Sequence, residues 1–389
     1  WSNDADFLVR GLPCRIGLEL FEFPLALLLH AANEFLDLAL IVRRRLVGAA
    51  GRQLADQVRR RRFGAERLLD VRRLRRLLLL DGGGNRRPSG PAAKRQHDGK
   101  SASQRELAGL PRRLRKERIG VFHGCDFAVP YLPAQPSVLT LHDLSPWLAD
   151  HSPPGSARVA RRTPFLLGLG LATMAVTPSE AVRREAIEFF GLHPGRVAAI
   201  PLAASDPFRP RARPPGGRPY FLFAGNLDRR KNVELLLEAW RGTVRPPDAE
   251  LLIAGRRRDG APEFPPPPGV RLLGAVPDAA LAELYAGCTA FLFPSRYEGF
   301  GLPVLEAMRC GAAVLISRDP ALMETAGEAG VCLDAGDPKA WAGAMTAALG
   351  RADWIEELRE ASLRRAAEFS WERTARLTRE VYDEAAARF

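Results

Sequence analysis

Features common in secreted and membrane proteins are scarce in this sequence of 389 residues. Its five cysteines are isolated and no Cys-x-x-Cys occurs, so the sequence indicates neither a zinc site nor a disulfide framework. No apolar run reaches the ~18–20 residues that a membrane-spanning helix needs, because polar residues interrupt the best candidate, residues 18–42. A secretory signal of the usual form is also missing. These absences favour a protein of the reducing cytoplasm.

Methionine is absent from the first 173 residues, and positive charge is concentrated in the same part of the chain. Residues 1–118 carry 26 Lys and Arg against 13 Asp and Glu, whereas residues 119–389 carry 31 against 32. The net charge of +12 therefore belongs to the N-terminal segment, and a basic face for nucleic acid along the whole chain is not supported.

Residues 1–104 show no regular alternation of strands and helices and no glycine-rich loop after a first strand. We interpret them as an atypical Arg-rich segment that is not selected for a fold, for instance one translated from a shifted frame. The alternative is a surface for nucleic acid or for an anionic membrane. The arginine runs lack the interleaved aromatic residues of a nucleic-acid stacking surface, which favours the first interpretation.

The most informative stretch is residues 291–311. An apolar run that stops at Pro294 predicts a short buried strand, followed by a polar loop. A helix is predicted from Leu302, with proline in its first turn, to Gly311. The first N–H groups of such a helix have no intrahelical partner, so they and the helix dipole favour an anion.

Two glycines and two glutamates surround the start of this helix. Gly299 and Gly301 allow positive φ angles and a close approach of the backbone to a ligand. Glu298 and Glu306 are suited to accept hydrogen bonds from sugar hydroxyls. A molecule with phosphate in the middle and hydroxyls at both ends, such as a nucleotide sugar, matches this arrangement. The same pattern also occurs in plain α/β connections with solvated charges.

The block from Glu298 to Glu306, Glu-Gly-Phe-Gly-Leu-Pro-Val-Leu-Glu, resembles the E-x7-E signature of the retaining, family-four glycosyltransferases. The flanking Pro294-Ser and Ala307-Met match that family as well. The resemblance spans residues 105–389 and is not found before them. It implies an α/β protein of GT-B fold, in which two Rossmann-like domains face each other across a cleft.

The first of these domains is marked by three segments that resemble the family in order: His123-Gly, His142-Asp-Leu and Thr177-Pro-Ser-Glu. Strands are predicted at residues 119–124, 137–144, 172–180, 197–202, 219–225, 250–255, 270–274, 289–293, 312–317 and 330–333. Helices are predicted at residues 107–118, 181–190, 233–240, 302–311, 341–349 and 354–369. This alternation predicts parallel sheets. The predicted organisation is an atypical segment (1–104), the remainder of the N-terminal acceptor domain (105–207), a linker (208–219), a nucleotide-sugar-binding domain (220–369) and a final helix that crosses back to the first domain (370–389).

Arg230 and Lys231 lie between a predicted strand and helix, within residues 225–232. Alone, this would be a solvated basic loop, but the segment resembles the family's diphosphate clamp. The resemblance implies that both cations neutralise charge on the departing nucleotide. His142 resembles the first-domain histidine that faces the donor sugar, and Asp143 is interpreted as orienting His142 or capping the next turn.

The resemblance implies donor contacts for the remaining residues. Glu298 would hold hydroxyls of the transferred sugar, and Glu306 would hold the ribose hydroxyls. His123 either faces the site or only supports its loop. Further donor contacts are predicted at Gly225, Asn226, Val276, Gly299, Phe300, Gly301 and Leu302.

Together these features predict a retaining glycosyltransferase that moves a hexose from a nucleotide-diphosphate sugar to a glycan or lipid-linked acceptor. GDP-mannose is the first candidate donor and UDP-sugars are the next. Apart from Asp4-Ala-Asp6 no Asp-x-Asp occurs, so we expect no metal and no other cofactor. Same-face attack is favoured over a double displacement, because no additional first-domain acid is evident.

Three alternatives stay open. The chain is an active enzyme, with peripheral attachment to the inner face of the membrane as one option, or a catalytically dead relic, or an Arg-rich binder of nucleic acid or membranes with a vestigial enzyme domain. In the relic, the donor-binding domain would be intact and the N-terminal domain damaged.

Overall fold

The computed structural model divides into a unit of residues 1–66 and a unit of residues 67–389. It describes residues 110, 113–148, 151–153, 155–211, 217–257 and 265–389. The interpretation of residues 1–104 and the middle of the predicted linker therefore lie outside the described residues. In the part that is described, no helix has the length and apolar character to cross a membrane.

The first lobe, which comprises the described residues up to 204, contains a parallel sheet. Its described strands lie in the order β1-β2-β3-β4, as expected from their alternation with helices. Their bounds are β1 (Phe122–Gly124), β2 (Ser137–Thr140), β3 (Met174–Thr177) and β4 (Val197–Ala199). Two helices flank them, α1 (Ala157–Gly168) and α2 (Glu180–Phe190).

Helix α2 begins and ends where its sequence predicts. The Oγ of Ser179 accepts a hydrogen bond from the N–H of Val182, 3.2 Å away, and so caps the first turn. Gly191 ends the helix in the left-handed conformation with φ of 62°, which glycine adopts without strain. The cap places Ser179 at the carboxyl end of β3, on the side of the sheet that faces the second lobe.

The second lobe, residues 205–369, contains a six-stranded parallel sheet in the order β10-β9-β8-β5-β6-β7. Its strands are β5 (Tyr220–Ala224), β6 (Glu250–Ala254), β7 (Val270–Gly274), β8 (Ala290–Phe293), β9 (Val314–Ser317) and β10 (Gly330–Leu333). The first strand of the lobe thus lies in the middle, and the strand order reverses between β5 and β8. In doubly wound α/β sheets, ligands bind beyond the carboxyl ends of the strands at this point of reversal.

Helices cover both faces of the second sheet. They are α3 (Val233–Gly242), α4 (Asp278–Gly287), α5 (Leu302–Arg309), α6 (Pro320–Ala326), α7 (Pro338–Gly350) and α8 (Ala352–Ala366). Among these helices and those of the first lobe, α1, α4 and α6 were not predicted from the sequence. The reasons are local: α1 contains a proline, α6 has only seven residues, and α4 has no side-chain cap.

The last helix, α9 (Trp371–Arg388), packs against the first sheet rather than the second. Ser370 caps it by accepting a hydrogen bond from the N–H of Arg373, 3.1 Å away. Its Val381 and Ala385 are buried in one cluster with Val138 of β2. The end of the chain thus covers the sheet of the first lobe.

Two loops at the carboxyl edge of the second sheet touch at glycines. Gly225 follows β5, and Gly255 follows β6 with a φ of 146°. A Cβ atom on Gly255 would lie 1.8 Å from the carbonyl oxygen of Gly225, far inside van der Waals contact. The close approach of the two loops therefore requires glycine at position 255.

We expect Gly255→Ala to lower the free energy of unfolding by about 2 kcal/mol, because the loops must separate and the φ angle is strained. Urea denaturation measures the change. Gly343→Ala is the matched control, since this glycine lies in α7 with nothing within 4 Å of the added Cβ. The control substitution should leave stability unchanged or raise it by up to about 1 kcal/mol. Equal effects of the two substitutions on stability would show that the close approach of the loops does not require glycine at position 255.

Candidate active site

The predicted basic and acidic residues meet at the point where the strand order of the second sheet reverses. Arg230 and Lys231 lie in a short 3-10 turn between β5 and α3. Glu298 lies in the loop between β8 and α5. Because β5 and β8 are neighbours in the sheet, their loops open side by side at the carboxyl edge.

Lys231 and Glu298 form a buried ion pair. The Nζ of Lys231 lies 2.5 Å from Oε1 of Glu298, and each residue is 8% exposed. The hydroxyl of Ser295 donates to the same carboxylate oxygen, also over 2.5 Å. The ammonium group of Lys231 lies 4.7 Å from the centre of the Phe293 ring, which adds a cation–π contact. The two charged groups are thus held in one fixed geometry.

Burial by itself raises the pKa of Glu298, but the neighbouring cations Lys231 and Arg230 outweigh it. The pKa of this carboxyl is therefore held below its ordinary value, and Glu298 is ionised at neutral pH. A buried charge of this kind is tolerated only when it is paired and hydrogen-bonded.

Arg230 connects the two lobes. Its Nη1 donates to the carbonyl oxygen of Tyr297 over 2.9 Å and lies 3.5 Å from Oε2 of Glu298. The same nitrogen lies 3.8 Å from Oδ2 of Asp143 in the first lobe. Asp143 also accepts hydrogen bonds from the N–H and hydroxyl of Ser145, over 2.9 and 2.6 Å. Asp143 thus binds Ser145, the first residue of the next short turn, Ser145–Trp147.

The turn that carries the two cations is held from both ends. Asp228 accepts a hydrogen bond from the backbone N–H of Lys231, 3.1 Å away. Asn232 takes the left-handed conformation with φ of 54°, which asparagine adopts more readily than most residues. Its side-chain amide donates to the carbonyl oxygens of Pro294 and Ala335, over 3.2 and 2.9 Å. Asn232 thus ties the basic turn to the loop of Glu298.

The N-terminus of α5 opens beside this ion pair. Gly301 precedes the helix with a φ of 88°, and a Cβ there would lie 2.4 Å from Cδ2 of Leu322. The N–H groups of residues 299–302 donate no hydrogen bond to another described residue. The ring of Phe300 is buried and packs against Phe369 at 5.9 Å, so only the backbone of this residue is open to a ligand.

Glu306 lies in the second turn of α5 and is half-buried. Its carboxylate has no hydrogen bond or ion pair with another described residue. Burial, and then the negative charge of Asp278, raise the pKa of this carboxyl to about 7. No hydrogen bond or ion pair joins Glu306 to the Lys231–Glu298 pair within the described part of the chain.

His142 lies where the first lobe meets the loop of Glu298. Its side chain is exposed, and Nε2 lies 2.7 Å from the carbonyl oxygen of Cys125, so this nitrogen carries the proton that is donated. The carbonyl oxygen of His142 would lie 2.0 Å from a Cβ on Gly299. The hydroxyl of Ser179 donates to the carbonyl oxygen of Gly299 over 2.7 Å. The two lobes therefore touch at Gly299.

The other residues named from the sequence lie around this centre. Gly225 lies beside Lys231, since a Cβ on it would be 3.8 Å from Cε of that side chain. Asn226 is exposed, and Val276 is half-buried against the core of the second lobe. Nδ1 of His123 lies 2.7 Å from the hydroxyl of Tyr382, and Nε2 lies 2.8 Å from the hydroxyl of Thr140. Burial lowers the pKa of His123 to about 4.

Sequence reasoning missed several residues that hold the site together. Asp319 accepts a hydrogen bond from the backbone N–H of Glu298 over 3.2 Å and also caps α6. Burial raises the pKa of Asp319 to about 6. Ser295 and Asn232 bind the carboxylate and the loops as described above. Ser295 and Asn232 lie within segments that resemble the family, which was their only sequence signal. Asp319 gave no signal, because its partner Glu298 is 21 positions away in the chain.

Two family models match the chain. The model for Glycosyl transferases group 1 matches residues 205–366, and the model for Glycosyltransferase Family 4 matches residues 53–204. The second match starts before residue 105, so the prediction that the resemblance is confined to residues 105–389 was wrong. A family match across residues 53–104 also argues against translation from a shifted frame there.

Characterised relatives and solved structures give a consistent result. The chain is 31% identical over 300 residues to the O-antigen chain mannosyltransferase B of Escherichia coli, covering 69% of this chain and 75% of that protein. It is 32% identical over 243 residues to the MMP alpha-(1->4)-mannosyltransferase of Mycolicibacterium hassiacum, covering 59% and 56%. The sucrose-phosphate synthase of Thermosynechococcus elongatus superposes with a TM-score of 0.60 at 21% identity, covering 73% and 78%, which shows a shared fold.

We expect Lys231→Met to lower the free energy of unfolding by about 3 kcal/mol, because it leaves the buried Glu298 charge without its nearest partner. The double variant Lys231→Met/Glu298→Gln should lose less stability than the single one, since no unpaired charge remains. Chemical denaturation of the wild type and the three variants, with Glu298→Gln as the third, completes the cycle. Additive losses would show that the two side chains are not coupled.

The pKa of Glu306 predicts a pH dependence of stability. A folded-state pKa of about 7, above the ordinary 4.5, means that the folded protein binds this proton more tightly than the unfolded chain. The contribution of Glu306 to stability therefore falls as pH rises from 4.5 to 7 and is constant above that. In Glu306→Gln this decline disappears, so the variant should gain stability relative to wild type as pH rises through the window. Denaturation at several pH values measures the stability difference between wild type and Glu306→Gln. A difference that does not change with pH would contradict the raised pKa of Glu306.

Proposed function

Because this chain belongs to the glycosyl transferases group 1 family and is a glycosyltransferase, we propose that it is a retaining hexosyltransferase. In this proposal it moves mannose from GDP-mannose to a glycan or lipid-linked acceptor, and UDP-sugars are the next candidate donors. The observation that carries the proposal is the contact of Lys231, Arg230 and Glu298 beside the open N-terminus of α5.

The charges of this centre are suited to a diphosphate. Arg230 and Lys231 bring two cations to the point where the sheet order reverses. The four N–H groups of residues 299–302 and the dipole of α5 add positive potential next to them. Positive groups that are already in place stabilise the negative charge that develops on a departing nucleoside diphosphate.

The acidic residues are suited to the two sugar ends of the donor. Glu306 is half-buried and unpaired within the described residues, so its oxygens are available to ribose hydroxyls. Glu298 accepts hydrogen bonds from Lys231 and Ser295, and the remaining lone pairs of its carboxylate are available to hydroxyls of the transferred hexose. His142, with an exposed ring, faces the same region from the first lobe.

The choice of mannose rests on similarity. Two of the relatives are named as mannosyltransferases, and the first of them is matched over 75% of its length. The motifs Arg230-Lys-Asn and His142-Asp-Leu-Ser also resemble mannosyltransferases of polysaccharide assembly. We place the enzyme in the cytoplasm, with attachment to the inner face of the membrane when the acceptor is lipid-linked.

We propose same-face attack for the transfer. The bond between the anomeric carbon and the phosphate oxygen breaks, and the acceptor hydroxyl oxygen bonds to the same face of that carbon. The acceptor proton passes to the departing phosphate oxygen, and the products are the glycosylated acceptor and the nucleoside diphosphate. A double displacement needs a free carboxylate nucleophile. The two carboxylates that contact Arg230 are already engaged, Glu298 by Lys231 and Ser295 and Asp143 by Ser145.

The proposed reaction needs no metal ion at the diphosphate, because Arg230, Lys231 and the N-terminus of α5 supply positive charge there. The same groups would remain in place in the presence of a chelator. An assay in EDTA therefore belongs to the test of the function.

We expect a panel of nucleotide sugars, assayed in EDTA with a mannan-type acceptor, to give transfer with GDP-mannose and a product of unchanged anomeric configuration by NMR. Glu298→Ala and Lys231→Ala should each lower turnover by roughly 10²- to 10³-fold. The first substitution removes the carboxylate that holds the hexose hydroxyls and Lys231, and the second removes a cation at the leaving group. Gly343→Ala, remote in α7, serves as the active control.

Four results would contradict parts of the proposal. Transfer from a UDP-sugar alone would replace the donor, and an inverted product would overturn the retaining route. A nucleotide that raises the melting temperature without any turnover would identify the catalytically dead relic. If no nucleotide raises the melting temperature, the assignment of these residues to a nucleotide-sugar site is wrong.

A further inference from the structure

Tyr297 belongs to the second lobe by sequence but to the first lobe by packing. It lies between β8 and α5, one residue before Glu298. Its side chain is 7% exposed and is part of the buried cluster that forms the core of the first lobe. All other buried members of that cluster come from residues 127–197. Tyr297 thus inserts from one lobe into the core of the other.

The hydroxyl of Tyr297 makes two hydrogen bonds to the first lobe. It accepts one from the backbone N–H of Leu144, 2.8 Å away, and donates one to Oε2 of Glu185 in α2, also 2.8 Å away. The ring stacks on His151 with a centroid distance of 5.5 Å and an interplanar angle of 4°. Burial raises the pKa of the Tyr297 phenol, so the proton stays on the hydroxyl and the donor role is maintained.

The backbone and the hydroxyl of Tyr297 each contact a loop that carries groups assigned to the reaction. The carbonyl oxygen of Tyr297 accepts a hydrogen bond from Arg230, and its peptide bond continues into Glu298. On the other side, Leu144 follows directly after His142 and Asp143 in the chain. The hydroxyl of Tyr297 therefore joins the loop that carries His142 to the loop that carries Glu298.

We propose that Tyr297 is a positioning residue that fixes the histidine loop of the first lobe, residues 142–144, against the donor loop of the second lobe, residues 294–301. This proposal rests on the proposed function, because Tyr297 sets the distance between the bound donor and the side chains of the acceptor-binding lobe. Donor-binding groups Arg230, Lys231 and Glu306 all lie within the second lobe. Loss of the Tyr297 hydroxyl should therefore impair transfer more than donor binding.

Removing only the hydroxyl leaves the rest of the lobe contact in place. The ring of Tyr297→Phe still fills the core of the first lobe, but the N–H of Leu144 and the carboxylate of Glu185 lose their partner. The contact of Ser179 with Gly299 remains, as do the hydrogen bonds from the N–H groups of residues 180 and 181 to Glu324, over 2.8 and 2.9 Å. The expected change is thus limited to residues 142–144 and to the side chain of Glu185.

The chain offers a matched control in Tyr285. This tyrosine is fully buried in the core of the second lobe, and its hydroxyl has no hydrogen-bond partner among the described residues. Tyr285→Phe therefore removes the same atom from a buried ring without breaking a contact between the lobes.

The test compares Tyr297→Phe with Tyr285→Phe in the full chain. We expect Tyr297→Phe to lower kcat about tenfold, the effect of losing two buried hydrogen bonds, with donor KM and nucleotide Kd changed less than about twofold. Tyr285→Phe should keep wild-type kcat and KM. A kcat unchanged in Tyr297→Phe, a parallel loss in donor affinity, or an equal loss in Tyr285→Phe would each overturn the proposal.

A second measurement separates this proposal from the proposed function. Hydrogen–deuterium exchange of the peptide that contains Leu144 should be slow in the wild type and in Tyr285→Phe and faster in Tyr297→Phe, because the amide loses its acceptor. This readout needs no substrate. If the wild type transfers no sugar, the proposed function fails, and exchange alone decides whether Tyr297 holds the loop. Unchanged exchange in Tyr297→Phe overturns the positioning role even in an active enzyme.

Discussion

The structure of the site depends on one buried ion pair, Lys231–Glu298. An ionised carboxylate in an interior of low dielectric is tolerated only with a cation and hydrogen-bond donors around it, and Lys231, Arg230 and Ser295 fill those roles. The pair in turn aligns the loops after β5 and β8, since one partner comes from each. The positive groups that face the open end of α5 are therefore held in place before any ligand arrives, which is the condition for efficient electrostatic stabilisation of a leaving group.

The strand order explains why these loops meet. In the second sheet the chain begins in the middle and winds outward in both directions, so β5 and β8 are neighbours although about seventy residues separate them. Helices that follow the two strands lie on opposite faces, and the gap between their N-termini opens at the carboxyl edge. The short 3-10 turn, the left-handed Asn232 and the open N–H groups of residues 299–302 all lie around that gap.

Contacts between the lobes converge on the two loops that follow β5 and β8. Asp143 faces Arg230, Ser179 binds the carbonyl oxygen of Gly299, and Tyr297 enters the core of the first lobe. Each of these residues lies at the carboxyl end of a strand or directly after it, where parallel strands present their loops. The loop of residues 294–301 is thereby part of the surface on which the first lobe rests, and the position of one lobe is linked to the geometry of the other.

The sequence by itself determined much of this protein. Apolar runs bounded by glycine and proline located most strands of both described sheets, and the spacing of Glu298 and Glu306, with Arg230 and Lys231, identified the family. These signals are local, because periodicity and short motifs are properties of neighbouring residues. Helices without caps or with an internal proline, such as α4 and α1, gave weak local signals and were missed.

Only the tertiary structure decided which side chains meet. Glu298 is paired with Lys231 across 67 positions, Tyr297 with Leu144 across 153, and Ser179 with Gly299 across 120. Such pairings follow from strand order and from the packing of one lobe on the other, which leave no periodic trace in a single sequence. The burial that lowers the pKa of His123 and raises that of Glu306 has the same origin, because it depends on what the rest of the chain places over each side chain.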